Sequence, residues 1–279
     1  MSIFHLKPNL SYIARYPAFV RLVIFSLVLL SFWLPIAAPV YWLLGVGNAT
    51  SIVTMSALYV EFVLMLWWWG RNIHQQLHPL QRHGLSRTRQ NWLELWKGLI
   101  IGFICLWGLF IGEGWIGWLS WQATSVSLAA VALEGLVVAI GIGIVEELLF
   151  RGWLVDELRW NYTSKTAIWI SGVTYAALHF IKPWLEILRT LPSFPGLLLL
   201  GLTLGWARQV HHDRLGFSIG LHAGFVWGYY IVDVCDIIRY TGQVPGWITG
   251  IDQNPLAGGL GVLYLCLIAL GLRRIKTAQ

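Results

Sequence analysis

Apolar runs dominate this chain. Eight segments, near residues 20–45, 51–69, 95–119, 125–150, 166–181, 194–208, 215–235 and 255–272, consist mainly of aliphatic, aromatic and glycine residues. A helix crossing the hydrocarbon core of a bilayer needs about 20 such residues. Lipid offers no partner to a free backbone amide or carbonyl, so only helices and closed barrels span it. These segments lack the polar–apolar alternation of barrel strands. The expected fold is therefore all-α, a polytopic bundle of about eight transmembrane segments. The fifth and sixth are short, which suits tilted, bent or partly spanning helices. Only 11% of the residues are charged, against about 25% in a soluble domain.

The net charge of +6 would suggest nucleic acid in a soluble protein. In a membrane chain it reads as basic cytoplasmic loops, and no nucleic-acid partner is expected. With the N-terminus in the cytoplasm, 15 of the 19 lysines and arginines fall on that side, from Lys7, Arg15 and Arg21 through Arg71, Arg82, Arg87, Arg89, Arg151, Arg159, Lys165, Arg208 and Arg214 to Arg273, Arg274 and Lys276. Both termini are therefore expected to be cytoplasmic. The first apolar run, from about Phe19, has no signal-peptidase pattern after it and reads as a helix that stays in the membrane. Three regions follow: N-terminal spans over 1–120 with a basic loop at 71–92, a core at 125–235, and a loop, final span and basic tail at 236–279. Cys105, Cys235 and Cys266 are far apart and form no disulfide or zinc-finger pattern. Gly196, Gly201 and Gly205 suit close helix contact.

Ionisable residues inside apolar segments mark functional sites by default. Residues 144–152 read IVEELLFRG. Glu147 and Arg151 are four apart and share a helical face, whereas Glu146 points elsewhere and is left free. Tyr175 and His179 are spaced by four in YAALHF, and His222 lies in the small-residue run GFSIGLHAGFVWG. These three segments neighbour one another and converge in a bundle. A glutamate with two histidines supports two chemistries. Glu146, His179 and His222 can hold a divalent metal such as Zn2+ that activates water. Alternatively Glu146 acts directly as general base, with histidines stabilising the oxyanion. Both hydrolyse an amide, and the spacing leaves the choice open.

EELLFR, YAALH and the His222–Val226 stretch, in this order and spacing, resemble the motifs of the CAAX protease and bacteriocin-processing family of intramembrane proteases. The resemblance covers residues 125–235. It implies that Glu146 is the base activating water, that His179 and His222 orient the water, bind a metal or hold the oxyanion, and that Glu147, Arg151 and Tyr175 support them. The family's second motif has phenylalanine where Tyr175 stands, and its third has Asn or Asp where this chain has Val226. The expected function is an intramembrane endopeptidase acting on a membrane-associated protein or peptide within the lipid bilayer. The alternative that Val226 favours is a weak or inactive scaffold or immunity-type protein of the same fold; a proton-carrying transporter is a third class. Oligomeric state is left open.

Other residues carry blander expectations. Glu61, Glu113 and Glu134 lie in or near apolar runs, Glu134 about three turns before Glu146. Ser171, in WISG, faintly suggests a serine nucleophile. His211, His212 and Asp213 read as an exposed loop, and Trp67, Trp68 and Trp69 as an aromatic belt.

Overall fold

The computed structural model describes residues 10–277. Lys7 of the expected cytoplasmic set lies outside the described residues, as does the side chain of Lys276. The α-helices, in order, are α1 (Ala18–Leu44), α2 (Asn48–Asn72), α3 (Pro79–Arg82), α4 (Arg89–Trp115), α5 (Leu128–Glu146), α6 (Val155–Arg159), α7 (Ser164–Leu178), α8 (Trp184–Thr190), α9 (Phe194–Val210), α10 (Gly216–Cys235), α11 (Gly246–Thr249) and α12 (Gly259–Thr277). A π-helical stretch, Glu147–Leu154, joins α5 to α6. Among the described residues the fold is all-α, with one short antiparallel pair, β1 (Leu119–Trp121) with β2 (Ile238–Tyr240), and an isolated bridge between Ile251 and Asn254.

All eight apolar segments form helices. Among the described residues, five helical stretches have the length and composition to cross a membrane: Ala18–Leu44, Asn48–Asn72, Arg89–Trp115, Leu128–Arg159 and Trp184–Val210. The count thus stands at five rather than eight on those criteria. The fifth expected segment forms α7, whose 15 residues fall short of the bilayer's hydrocarbon thickness. The sixth gains length because α8 leads into α9. The seventh, α10, is 20 residues long, but His222, Tyr229, Tyr230 and Asp233 lower its mean hydropathy.

Two compact units are present. Among the described residues, the first comprises 10–82 with 157–162. Here α1 packs on α2 through edge-to-face contacts of Phe25 with Phe62 and Trp69. Arg21, buried in α1, bonds Glu157 at 2.5 Å, and His74 meets the same carboxylate at 2.9 Å while stacking on Trp160. Arg21, counted from the sequence among the cytoplasmic-side basic residues, is a buried ion-pair partner.

The second unit comprises residues 83–156 with 163–279 and carries the core of the 125–235 region. Polar caps set where its helices start: Thr88, Ser127 and Thr163 accept the backbone amides of Asn91, Ala130 and Thr166. Helices α4 and α10 lie backbone to backbone. Gly98 and Gly102 face Phe217 and Leu221, and Gly216, Gly220 and Gly224 face Asn91, Leu95 and Leu99. A Cβ at Gly220 would collide with the Leu95 carbonyl, so only glycine permits this approach. Glycines four apart on both helices are the membrane packing motif. On α9, Gly201 rests on Gly172 and Gly205 on Ile168 of α7, while Gly196 abuts Leu256. The β1–β2 pair, with Leu119 opposite Tyr240, ties the exit of α4 to that of α10, over an apolar cluster of Leu106, Phe110, Val131, Ile231 and Val232.

Candidate active site

The two glutamates are adjacent yet sit in different surroundings, because α5 ends at Glu146 and the π-helical stretch opens at Glu147. Such widened turns occur frequently at functional sites. Glu147 is 0% exposed and Arg151 1%. An ionised carboxylate in such a place must be paired and hydrogen-bonded. Glu147 Oε1 accepts from Arg151 Nη1 at 2.8 Å and meets His222 Nδ1 at 2.8 Å. The Arg151 guanidinium lies 4.3 Å from the centre of the Tyr175 ring, a desolvated cation–π contact. Phe150 stands edge-on to the same ring. Tyr175 therefore shapes the floor under Arg151 with its aromatic face, a property that tyrosine shares with phenylalanine.

Both histidines are oriented through Nδ1. His179 Nδ1 lies 2.8 Å from the Tyr175 carbonyl oxygen. A carbonyl only accepts, so this nitrogen carries a proton. His222 Nδ1 faces a carboxylate that already holds an arginine, so it too is the donor. In the neutral ring, each Nε2 is then left as a lone pair. An Nε2 donates to an oxyanion only when the ring is an imidazolium. His222, backed by the Glu147 carboxylate, is the one provided with a counter-charge.

Glu146 has no such anchoring. Its side chain is 21% exposed, and its Oε2 stands 3.8 Å from His222 Nε2, beyond hydrogen-bond reach. That oxygen is sealed from bulk solvent without a hydrogen-bond partner. Glu146, Tyr175, His179 and His222 all line one cavity of about 270 Å³. Its other walls are largely apolar, with Leu106, Leu197, Leu200 and Phe225 among them. Val226 also lines it, so the position where the family has a polar side chain faces the cavity with an isopropyl group.

Among the described residues, no three His, Cys, Asp or Glu side chains gather at the spacing of a metal site. The donor types of Glu146, His179 and His222 suit zinc, but their placement does not gather them around one ion. No reaction step is assigned to a metal.

The remaining acidic residues are held elsewhere. Glu113 is buried and accepts from the Tyr240 hydroxyl at 2.8 Å. Glu134 is exposed and accepts from Tyr230 at 2.8 Å, so its three-turn spacing from Glu146 does not bring it into the cavity lining. Glu61 is half-buried in α2. Ser171 is no free nucleophile: its hydroxyl donates to the Phe150 carbonyl at 2.8 Å. Of the expected exposed trio, His212 and Asp213 are exposed. His211 is not; it meets Glu94 at 3.2 Å and stacks on Phe217. Arg214 holds the same Glu94 at 2.5 Å. Burial in the loop's protein contacts pushes the His211 imidazole below its ordinary range, while Glu94 pulls the other way.

Two residues that pattern reading passed over support the site. Arg208 is 2% exposed and donates to the carbonyl of Arg151 and to Asp156 at 2.9 Å. Asp156 is also held by His83 Nδ1 at 2.9 Å. In the sequence Arg208 is one of many basic residues at a helix end, and nothing local distinguishes it.

Residues 128–228 match the family described as type II CAAX prenyl endopeptidase, Rce1-like. The matched segment runs from the start of α5 into α10 and contains Glu146, Glu147, Arg151, Tyr175, His179 and His222. Neither the curated proteins nor the solved structures yield a match to the chain.

Proposed function

We propose that this chain, whose 128–228 segment belongs to the type II CAAX prenyl endopeptidase family, is an intramembrane endopeptidase that hydrolyses a peptide bond of a membrane-associated protein or peptide. The observation that carries the reading is the Glu146 carboxylate, whose Oε2 has no hydrogen-bond partner and stands 3.8 Å from His222 Nε2, lining the same cavity as His179 and His222. Glu146 takes a proton from a water. The resulting hydroxide equivalent adds to the scissile carbonyl. His179, through Nε2, accepts from and orients that water. His222, as the imidazolium backed by Glu147, donates to the developing oxyanion. The proton held by Glu146 then passes to the leaving amine. Glu147 and Arg151 keep His222 in place and hold the neighbouring turn.

The apolar walls suit a substrate whose flanking residues or anchor are themselves apolar. The class we assign is membrane-associated peptides, without specifying a prenyl group. The test is turnover by purified protein in vesicles against a library of lipidated and unlipidated quenched-fluorescence peptides. Wild type cleaves, and Glu146→Gln lowers kcat by about 10²–10⁴-fold, the usual weight of a general base. Glu146→Gln with full turnover would contradict the mechanism. Metal content of the pure, active protein tests the zinc expectation separately.

Val226 favours a second reading, a weak or inactive scaffold of the same fold. It places no donor where the oxyanion would gain one. Absence of any turnover across the library, with intact fold, would favour that reading.

A further inference from the structure

Three successive carbonyls of the π-helical stretch are served by side chains of other helices. The Phe150 carbonyl accepts from the Ser171 hydroxyl of α7 at 2.8 Å. The Arg151 carbonyl accepts from Arg208 Nη1 of α9, and the Gly152 carbonyl, which also accepts from the Val155 amide, lies 3.4 Å from the same nitrogen. Where a π-helical turn passes back to α geometry, the amide–carbonyl ladder changes its spacing, and carbonyls at the changeover lose regular in-helix partners. Buried carbonyls do not stay unpaired. Donors from outside the helix therefore favour the opened geometry over an α ladder that would reclaim those carbonyls.

Arg208 is itself fixed. Its Nη2 holds Asp156 at 2.9 Å and its Nε the Asp213 carbonyl at 3.1 Å, and His83 holds Asp156 from the other side. The glycine contacts explain why two helices reach the same turn. Gly201 against Gly172 and Gly205 against Ile168 bring α9 onto α7, next to Ser171 and one turn before Arg208. Converting a π-turn to α-helix changes the phase between the residues on either side by about 100°, one residue's rotation. Arg151 would then turn relative to Glu147 and α5, so that the Arg151–Glu147 bond behind the Glu147–His222 contact is re-angled, although the four-residue interval keeps the two side chains on one face.

We infer that Arg208 and Ser171 are positioning residues that clamp the Glu147–Leu154 turn in its π-helical form and so set the Glu147–Arg151–His222 geometry; this rests on the peptidase reading above. Neither touches the reacting atoms. Misplacement of a catalytic group by about 1 Å costs about 10²-fold in rate.

The test uses the full chain in phosphatidylcholine–phosphatidylglycerol vesicles with the peptide library, together with amide hydrogen exchange. Arg208→Met lowers kcat about 10²-fold with KM nearly unchanged. Ser171→Ala lowers kcat less, and Ser171→Thr, which keeps the hydroxyl, restores it. In an Arg151→Met background, Arg208→Met adds little further loss, because the two act through one geometry. Exchange rises over residues 147–154 and stays as in wild type along α4 and α10. Arg208→Lys, which keeps the charge and loses the fork, serves if Arg208→Met does not fold. Wild-type kcat in Arg208→Lys and Ser171→Ala, or losses that multiply fully with Arg151→Met, would overturn the inference. If the wild type cleaves nothing, the peptidase reading fails by itself; unchanged exchange over 147–154 in both variants then overturns the clamp, and faster exchange there upholds it.

Discussion

Glu146 and Glu147 show how one residue's displacement along a helix separates two roles. Glu147 is fully buried and spends its Oε1 on Arg151 and His222. Each glutamate keeps an Oε2 without a hydrogen-bond partner, but of the two only Glu146 lines the cavity. Their replacements should differ in kind. Glu146→Gln lowers turnover by about 10²–10⁴-fold and changes thermal stability little, since the carboxylate makes only a 3.8 Å contact with His222. Glu147→Gln lowers stability as well as kcat, because Arg151 is left buried without its counter-charge; breaking such a pair costs about 3–5 kcal/mol. Thermal unfolding in detergent beside peptide turnover separates the two; equal unfolding temperatures for both variants would contradict the division. Val226 supplies the converse experiment. It lines the cavity one helical turn beyond His222, so Val226→Asn restores a donor where the family has one. The expected gain in kcat is up to about 10²-fold, the weight of one oxyanion donor. A drop would show that the apolar side chain is needed there.

At the scale of elements, glycine decides where the site stands. His222 is carried by α10, and α10 is registered on α4 by Gly216, Gly220 and Gly224 meeting Asn91, Leu95 and Leu99. Gly220→Leu forces the two backbones apart and lowers stability by more than about 1–3 kcal/mol, the usual cost of overpacking, with loss of turnover; wild-type unfolding of that variant would refute the contact. The close-contact glycines of α9 were legible in the sequence, as was the Glu147–Arg151 pair from its four-residue interval; around His222 the sequence showed a small-residue run but not which of its glycines meet α4. The π-helical form of Glu147–Leu154 was not legible. It depends on Ser171 and Arg208, donors 17 and more residues further along the chain, and no local pattern encodes a tertiary hydrogen bond. The same limit applies to Arg21 and His211. By position Arg21 reads as one of the cytoplasmic-side basic residues and His211 as part of an exposed loop, but each meets an acidic partner, Glu157 and Glu94 respectively. The shortness of the fifth and sixth segments was legible too: α7 has 15 residues, and α9 reaches the length to cross a membrane with α8 before it.

For the whole molecule, the charge distribution gives the orientation that we propose, with both termini cytoplasmic. Single cysteines in a cysteine-free background test it. Arg87→Cys, in the basic loop, should react with a membrane-impermeant thiol reagent only after cells are opened, and Ser120→Cys, in β1, in intact cells; the reverse pattern would invert the topology. What the molecule does with its buried carboxylate is read from the atoms of its product. In a single turnover in H2 18O, with enzyme in excess over a cleaved library peptide in vesicles, water activated by Glu146 places one labelled oxygen in the new C-terminal carboxylate of the peptide and none in the Glu146 side chain. Label recovered in Glu146 would mean that the carboxylate attacked the substrate itself, and the general-base reading of this site would be wrong.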